Sequence, residues 1–383
     1  MVHNKLHFPE TLHNYFKDKE MNEIYISVFL KTFAESFITL FIPIYLIVLG
    51  YQLFDVALYY LVYFIVVGFV IPLGMVLNSK IGIKKTLGLG TFLIILYYYI
   101  LGFMESGLSY VIVALFYGLS TGIYFSAFHI EFAKSFSRKR GGKELSVIRI
   151  IAIISGIIGP LVGSLFISNV SFVFLFRIVA VILFLSIIPL FFTKDFVVPF
   201  KRKPLREILR MDTKRKALAY QASGIIALSS VVFWPLFIYF TLGDIVSLGI
   251  IISLSSLFTI LVIAKIGRLA DINRKKVFKV GVLTHAPSWI LRLFFLSPIG
   301  IFFSNLYSYI TIAAIDISFN KKIYRQAKEA KDICNYFLFR EIHLQLGRII
   351  ILCIVMLTNS LILMFVLSFF ITFGYLFMLN GKK

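Results

Sequence analysis

The sequence predicts an all-α membrane protein: twelve transmembrane helices in two pseudo-symmetric six-helix bundles, with both termini cytoplasmic. Three observations lead there. Of the 383 residues, 60% are hydrophobic, and the mean hydropathy is +0.93. That is more apolar surface than a water-soluble domain, whose outside must be polar, can hide. Twelve apolar segments are long enough to cross a bilayer. A polar hinge also occurs twice, 192 positions apart counted from Ser79 to Asp271, which marks an internal repeat.

The stronger copy of the hinge is Gly267-Arg-Leu-Ala-Asp271-Ile-Asn-Arg274-Lys275-Lys276; the weaker is Gly74-Met-Val-Leu-Asn78-Ser79-Lys80-Ile-Gly82-Ile-Lys84-Lys85. Each ends one apolar run with a small residue, turns, gathers bases and begins another run.

The first-half segments fall near 24–49, 54–77, 86–103, 109–130, 146–167 and 172–193; the second-half segments fall near 217–240, 246–266, 277–296, 299–319, 338–357 and 361–379. Residues 1–193 are thus the first bundle, 194–216 a basic linker and 217–383 the second bundle. In the linker, Pro199 and Pro204 interrupt helix, and a short amphipathic surface helix is expected near 205–212. The opening residues lack a signal-peptide pattern, so the first apolar segment is expected to remain as a membrane anchor.

Lys and Arg concentrate in the connections after the even-numbered segments, as in Arg138-Lys139-Arg140 and Lys321-Lys322, and are missing after the odd-numbered ones. Positive connections stay in the cytoplasm, which sets the orientation. The same placement disposes of nucleic acid as a partner: the net charge of +21 is spread over short loops and does not form one solvated face. Cys334 and Cys353 have no paired spacing, so neither disulfide nor metal is expected. No phosphate-cradling loop, zinc-protease motif or nucleophile elbow is present. The expected protein has no cofactor, is not an enzyme and draws its energy from a proton or other ion gradient. It is expected to be a monomer, multi-pass in the cell membrane.

Two repeated halves in a membrane bind solute at their seam and expose it to each side in turn. The hinge GRLADINRKK resembles the loop between the second and third helices of each half in the major facilitator superfamily. Gly267, Asp271, Arg274, Lys275 and Lys276 match that pattern with about one residue deleted. In the first half Gly82, Lys84 and Lys85 match, Ser79 replaces the aspartate and Gly74 is one place out of register. The resemblance implies a gating role for these residues and a cavity lined by helices 1, 4, 7 and 10. A further stretch, Gly156-Ile-Ile-Gly159-Pro160-Leu-Val-Gly163-Ser164, is similar to the Gly-Pro signature in fifth helices of proton-coupled antiporters. Ordinary small-residue helix packing explains the same spacing.

Ionisable groups in hydrocarbon are costly, which makes each a functional candidate. Lys31 and Glu35 share a helix face in segment 1. Glu35 can carry a proton with Lys31 tuning it, or the two can simply neutralise each other. Asp316 is a further coupling candidate. In segment 11, Glu341, Gln345 and Arg348 form a stripe beside Arg340 and His343; Arg348 lies about 12 Å beyond Glu341 along the axis. His129 and Asp316 correspond at an offset of 187. Glu131, Arg149, Asp316 and Arg340 make a candidate inner gate, with Glu341 at its rim; solvated helix-end charge is the plain alternative. Candidate solute contacts are Tyr117, Thr121, Tyr124, Gln221, Trp234, Asn305, Tyr309, Gln345 and Arg348. Arg177 and Arg292 are expected to snorkel to the outer headgroups.

The expected function is therefore secondary-active transport of a small organic solute by alternating access, with proton-coupled export leading. Import of a nutrient or anionic solute, with Arg348 as charge partner, is the alternative within transport; a non-transporting sensor or scaffold is the alternative outside it.

Overall fold

The computed structural model describes residues 19–135 and 141–379, and in them the chain is helical almost throughout. Helix α1 (Lys19–Ser36) is followed by a 3-10 turn and by α2 (Ile42–Val48), which carries Pro43 where no amide donor is needed. Next come α3 (Leu53–Lys80), α4 (Ile83–Leu101), α5 (Tyr110–Ser135), α6 (Gly141–Asn169) and α7 (Phe172–Ile187). Between α7 and the next long helix lies the short α8 (Leu205–Arg210), within the 205–212 stretch where a surface helix was expected. The rest of the chain is α9 (Lys214–Leu228), a π-turn at Ser229–Phe233, α10 (Trp234–Leu242), α11 (Ile245–Phe294), α12 (Pro298–Glu329), α13 (Ile333–Thr358) and α14 (Leu361–Thr372).

Among the described residues, eleven stretches are long and apolar enough to cross a membrane. The stretch 277–296 is not one of them. It is the second arm of α11, which bends at Asn273 (φ −142°, ψ 79°). Its apolar run is broken by His285, Ser288 and Arg292, all buried among other helices. The bundle's outside is apolar, with Leu357 86%, Phe69 77% and Phe294 75% exposed, as lipid contact requires.

Helices of the first part pack chiefly on one another: α3 and α4 on α5, and α1 on α6 and α7. In the second part α11 packs on α12 and α14, and α9 on α13. Between the parts, α3 lies on α13 and α6 on α11. Two crossings bring backbones close. A Cβ at Gly159 would stand 2.6 Å from the carbonyl carbon of Ser36, and one at Gly163 only 2.0 Å from the carbonyl oxygen of Phe37. A Cβ at Gly224 would meet the Leu344 carbonyl oxygen at 2.3 Å, and one at Gly347 that of Gln221 at 2.2 Å. Only glycine permits either approach.

The two hinges are built differently. In the second, the Asp271 carboxylate pairs with Lys321, and Asn273 Oδ1 accepts from the Lys276 amide at 3.0 Å, capping the new arm of α11. In the first, where Ser79 stands in place of an acid, Asp195 from beyond α7 takes over. Its carboxylate accepts from the Lys84 and Lys85 amides at 2.9 and 3.1 Å, on the N-terminus of α4. The Lys84 ammonium is itself buried against Glu23 at 3.0 Å and Thr193. Gly82, at φ +105°, leaves room for Asp195, whose Oδ2 would be 2.2 Å from a Cβ there. Gly50 also has positive φ (+91°), but nothing lies within 4 Å of its Cβ position. Gly82→Ala is therefore expected to destabilise the protein more than Gly50→Ala, by about 1–2 kcal/mol, because it adds loss of the α4 cap to a shared backbone strain. Thermal unfolding in detergent compares the two; equal losses would refute the capping role of Asp195.

At the other end of the bundle, Asp244 caps α11. Hydrogen bonds from Ser247, then Val246, hold its carboxyl below the usual range. A depressed carboxyl stabilises above its unfolded pKa and loses that contribution as pH falls.

Candidate functional site

A cavity of about 410 Å³ lies inside the bundle, between the first and second parts of the chain. Ser36 and Thr39 come from the first span and Gly156 and Pro160 from α6; Ser223, Ala227 and Ser230 come from α9 and its π-turn; Ser256 and Arg292 come from α11, and Tyr309 and Asp316 from α12. The volume suits a small organic molecule. The π-turn that breaks the seventh span opens onto it, and such breaks often mark functional sites.

Arg292 is the surprise of the wall. The expectation of snorkelling fails, because the side chain is 1% exposed. It turns inward between the chain's only two tryptophans, its guanidinium carbon 4.4 Å from the Trp234 ring centroid and 4.3 Å from that of Trp289. Nη2 donates to Ser308 Oγ at 2.7 Å. Trp234 is fixed in turn, its Nε1 donating to Asn305 Oδ1 at 3.0 Å. Depth along the helix pointed to headgroups, and only the fold shows that the face is inward. Arg177 is exposed on the outside of α7.

A polar cluster stands where α5, α12 and α13 meet. Arg340 Nη1 donates to His129 Nε2 at 3.1 Å and also pairs with Glu341. With Nε2 accepting, Nδ1 carries the proton and donates to Tyr324 Oη at 3.1 Å. Glu341 Oε1 lies 3.4 Å from His129 Nε2, and Gln345 links Glu341 (3.4 Å) to Arg348 (3.0 Å). His129 comes from one part of the chain and its partners from the other. The cluster lies at the end that carries the basic connections, for Lys328 Nζ reaches the Lys134 carbonyl at 3.4 Å and Asn335 Nδ2 the Lys201 carbonyl at 3.1 Å.

The remaining predicted residues fall outside the cavity. Lys31 and Glu35 pair at 2.6 Å, with the ammonium 4.3 Å from the Tyr124 ring centroid; Ser36, next along, reaches the cavity wall. Tyr117 stacks between Tyr63 and Tyr97, with centroids 4.2 and 4.1 Å away, and its carbonyl accepts from the Thr121 hydroxyl. Gln221 pairs with His343 at 3.2 Å. Arg348 lies 4.7 Å over the Phe64 ring. Glu131 is buried, and Arg274 reaches the Ser318 carbonyl at 3.4 Å. The Arg149 side chain lies outside the described residues. Sequence reasoning missed Glu23, Thr193, Asp195, Ser308 and Trp289; their only signal was polarity in or beside an apolar run.

A larger groove of about 590 Å³ opens sideways between α3 and α13, walled by apolar residues such as Phe69, Leu73 and Leu346, with Arg202 and Lys203 at its edge.

A lipid-facing helical bundle with an internal polar cavity between its two parts has the architecture of a membrane carrier. The chain belongs to the Major Facilitator Superfamily, whose model matches residues 24–319; it is a membrane transporter by family and not an enzyme. No curated protein matches the sequence. Among solved structures, a POT family transporter in complex with 5-aminolevulinic acid is similar, with TM-score 0.67 and 14% identity over 92% of this chain and 94% of that one. The nucleoside transporter NupG is similar at TM-score 0.67 and 15% identity, over 95% and 100%. A POT family transporter in complex with a thioalcohol-conjugated peptide matches at 0.67 and 15%, over 92% and 94%.

Proposed function

We propose that this chain is a proton-coupled secondary transporter that exports a small organic solute by alternating access. It crosses the cell membrane twelve times with both termini cytoplasmic; residues 1–193 form one bundle, 194–216 a linker and 217–383 the other. The carrying observation is the 410 Å³ cavity walled by both proposed halves, where a solute can be reached from either side as the halves rock. A sensor on a degenerate fold would be expected to fill that space. The glycine crossings favour the repeat, since each joins the first and fifth spans of one proposed half: Gly159 meets Ser36 in one, and Gly347 meets Gln221 in the other. The solved neighbours, whose ligands are a peptide conjugate and 5-aminolevulinic acid and whose substrates are nucleosides, support a small organic solute.

Coupling is assigned to Glu35, held by Lys31 beside the cavity wall. Protonation would release Lys31 and change the charge at the seam. Export is favoured by the antiporter-like run from Gly156 to Ser164. The test is solute flux in proteoliposomes under an imposed pH gradient. Glu35→Gln is expected to cut gradient-driven accumulation at least tenfold while exchange down a solute gradient persists. Unchanged accumulation in the variant would remove Glu35 from coupling; absence of flux across a broad solute panel would remove the transport reading.

A further inference from the structure

We infer that the central cavity binds a small organic anion, with the oxyanion of its carboxylate or phosphate group held by Arg292. This rests on the reading of the cavity as the transport site. Arg292 is always charged, and burial of a lone guanidinium is costly unless its donors are met. Here they are met in part. Nη2 has Ser308 Oγ at 2.7 Å, whereas Nε and Nη1 have no acceptor among the described residues. The side chain is 99% enclosed yet forms part of the cavity wall.

The two tryptophans hold the cation by its faces, at 4.4 and 4.3 Å, without using its N–H groups. Asn305 fixes Trp234, and Phe365 stacks on Trp289 at 5.8 Å, so the guanidinium is clamped in one orientation. A clamp that satisfies the faces and leaves two edge donors idle is a preorganised anion receptor. No carboxylate forms a salt bridge with Arg292 among the described residues. Ile226, Ile252 and Ile312 supply apolar wall beside the serines, Tyr309 and Asp316, which suits a short, partly apolar body behind the charge. The anion role considered for Arg348 passes to Arg292, because Arg348 is already bonded to Gln345 and is absent from this wall.

The same clamp supplies the readout. The chain has two tryptophans and both touch Arg292, so the intrinsic tryptophan fluorescence of the full-length protein in nanodiscs reports this site alone. Four probes of similar size are titrated: butyrate, propyl phosphate, butanol and butylamine. Butyrate, propyl phosphate or both are expected to change the emission saturably, with butanol and butylamine without saturable effect; whichever anion responds identifies carboxylate or phosphate as the preferred group. Arg292→Gln is expected to weaken that response at least tenfold, and Arg292→Lys to retain part of it. If Arg292→Gln does not fold, the comparison of butyrate and propyl phosphate with butanol in the unaltered protein still decides. No saturable response to either anion, or an equal response to butanol, overturns the inference. Flux in the proteoliposome assay without an anion response would sink this inference and leave the transport reading intact. An anion response without flux of any solute would do the reverse.

Discussion

Arg340→Ala is expected to open the end of the bundle that carries the basic connections. Arg340 bridges His129 on α5 to Glu341 on α13, and Tyr324 on α12 closes the group. The Arg340 and Glu341 side chains are 13% and 7% exposed, so solvent screens them little. Removing one partner of such a pair costs about 3–5 kcal/mol, chiefly by leaving the other charge buried. In the proposed cycle the cluster forms only when this end is closed. If half of that cost falls on the closed form alone, the open population rises roughly 10- to 70-fold. Spin labels at Lys134→Cys and Lys328→Cys measure the gap, since Lys328 Nζ now lies 3.4 Å from the Lys134 carbonyl. Cys334 and Cys353 are first replaced by serine. The separation is expected to lengthen and broaden in the Arg340 variant; an unchanged distribution would mean the cluster is not a gate.

The second large effect is expected at the α1–α6 crossing. Gly163→Ala places a methyl where a Cβ stands 2.0 Å from the Phe37 carbonyl oxygen, and backbone cannot swing aside. Overpacking of this kind costs about 1–3 kcal/mol, and here the upper end is expected because both helices must part. Gly156→Ala, two turns earlier on the same helix face, meets only the Ser256 side chain, its oxygen at 3.2 Å, a group that can rotate. It should be nearly neutral. Thermal unfolding in detergent separates the two. Similar midpoints would show that the run from Gly156 to Ser164 is not organised by helix contact.

Much of the fold was written in the pattern of apolar runs and basic connections, because lipid leaves few ways to bury a backbone. The proposed repeat rests on the two hinges, and a short helix at Leu205–Arg210 begins directly after Pro204, where one was expected. The site was less legible. His129 and Arg340 are 211 positions apart, and Asp195 and Lys84 are 111 apart; neither pairing leaves a local mark. A stripe of polar residues on one helix identifies a wet or paired face without identifying the partner. Arg292 was misplaced for that reason: its depth suits headgroups, and its burial depends on Trp234 and Ser308 in other helices. The tyrosines illustrate the same limit. Tyr117 has the spacing of a cavity-lining residue but spends its ring on Tyr63 and Tyr97.

In the proposed cycle one internal space faces the two sides of the membrane by turns. Ala227 lines that space from α9. A single cysteine placed there, in protein lacking Cys334 and Cys353, can be challenged with a membrane-impermeant thiol reagent from each side of oriented vesicles. Labelling from both sides is expected, with the balance shifted by Arg340→Ala toward the side bearing the basic connections. Labelling from one side only, or from neither, in both proteins would contradict it.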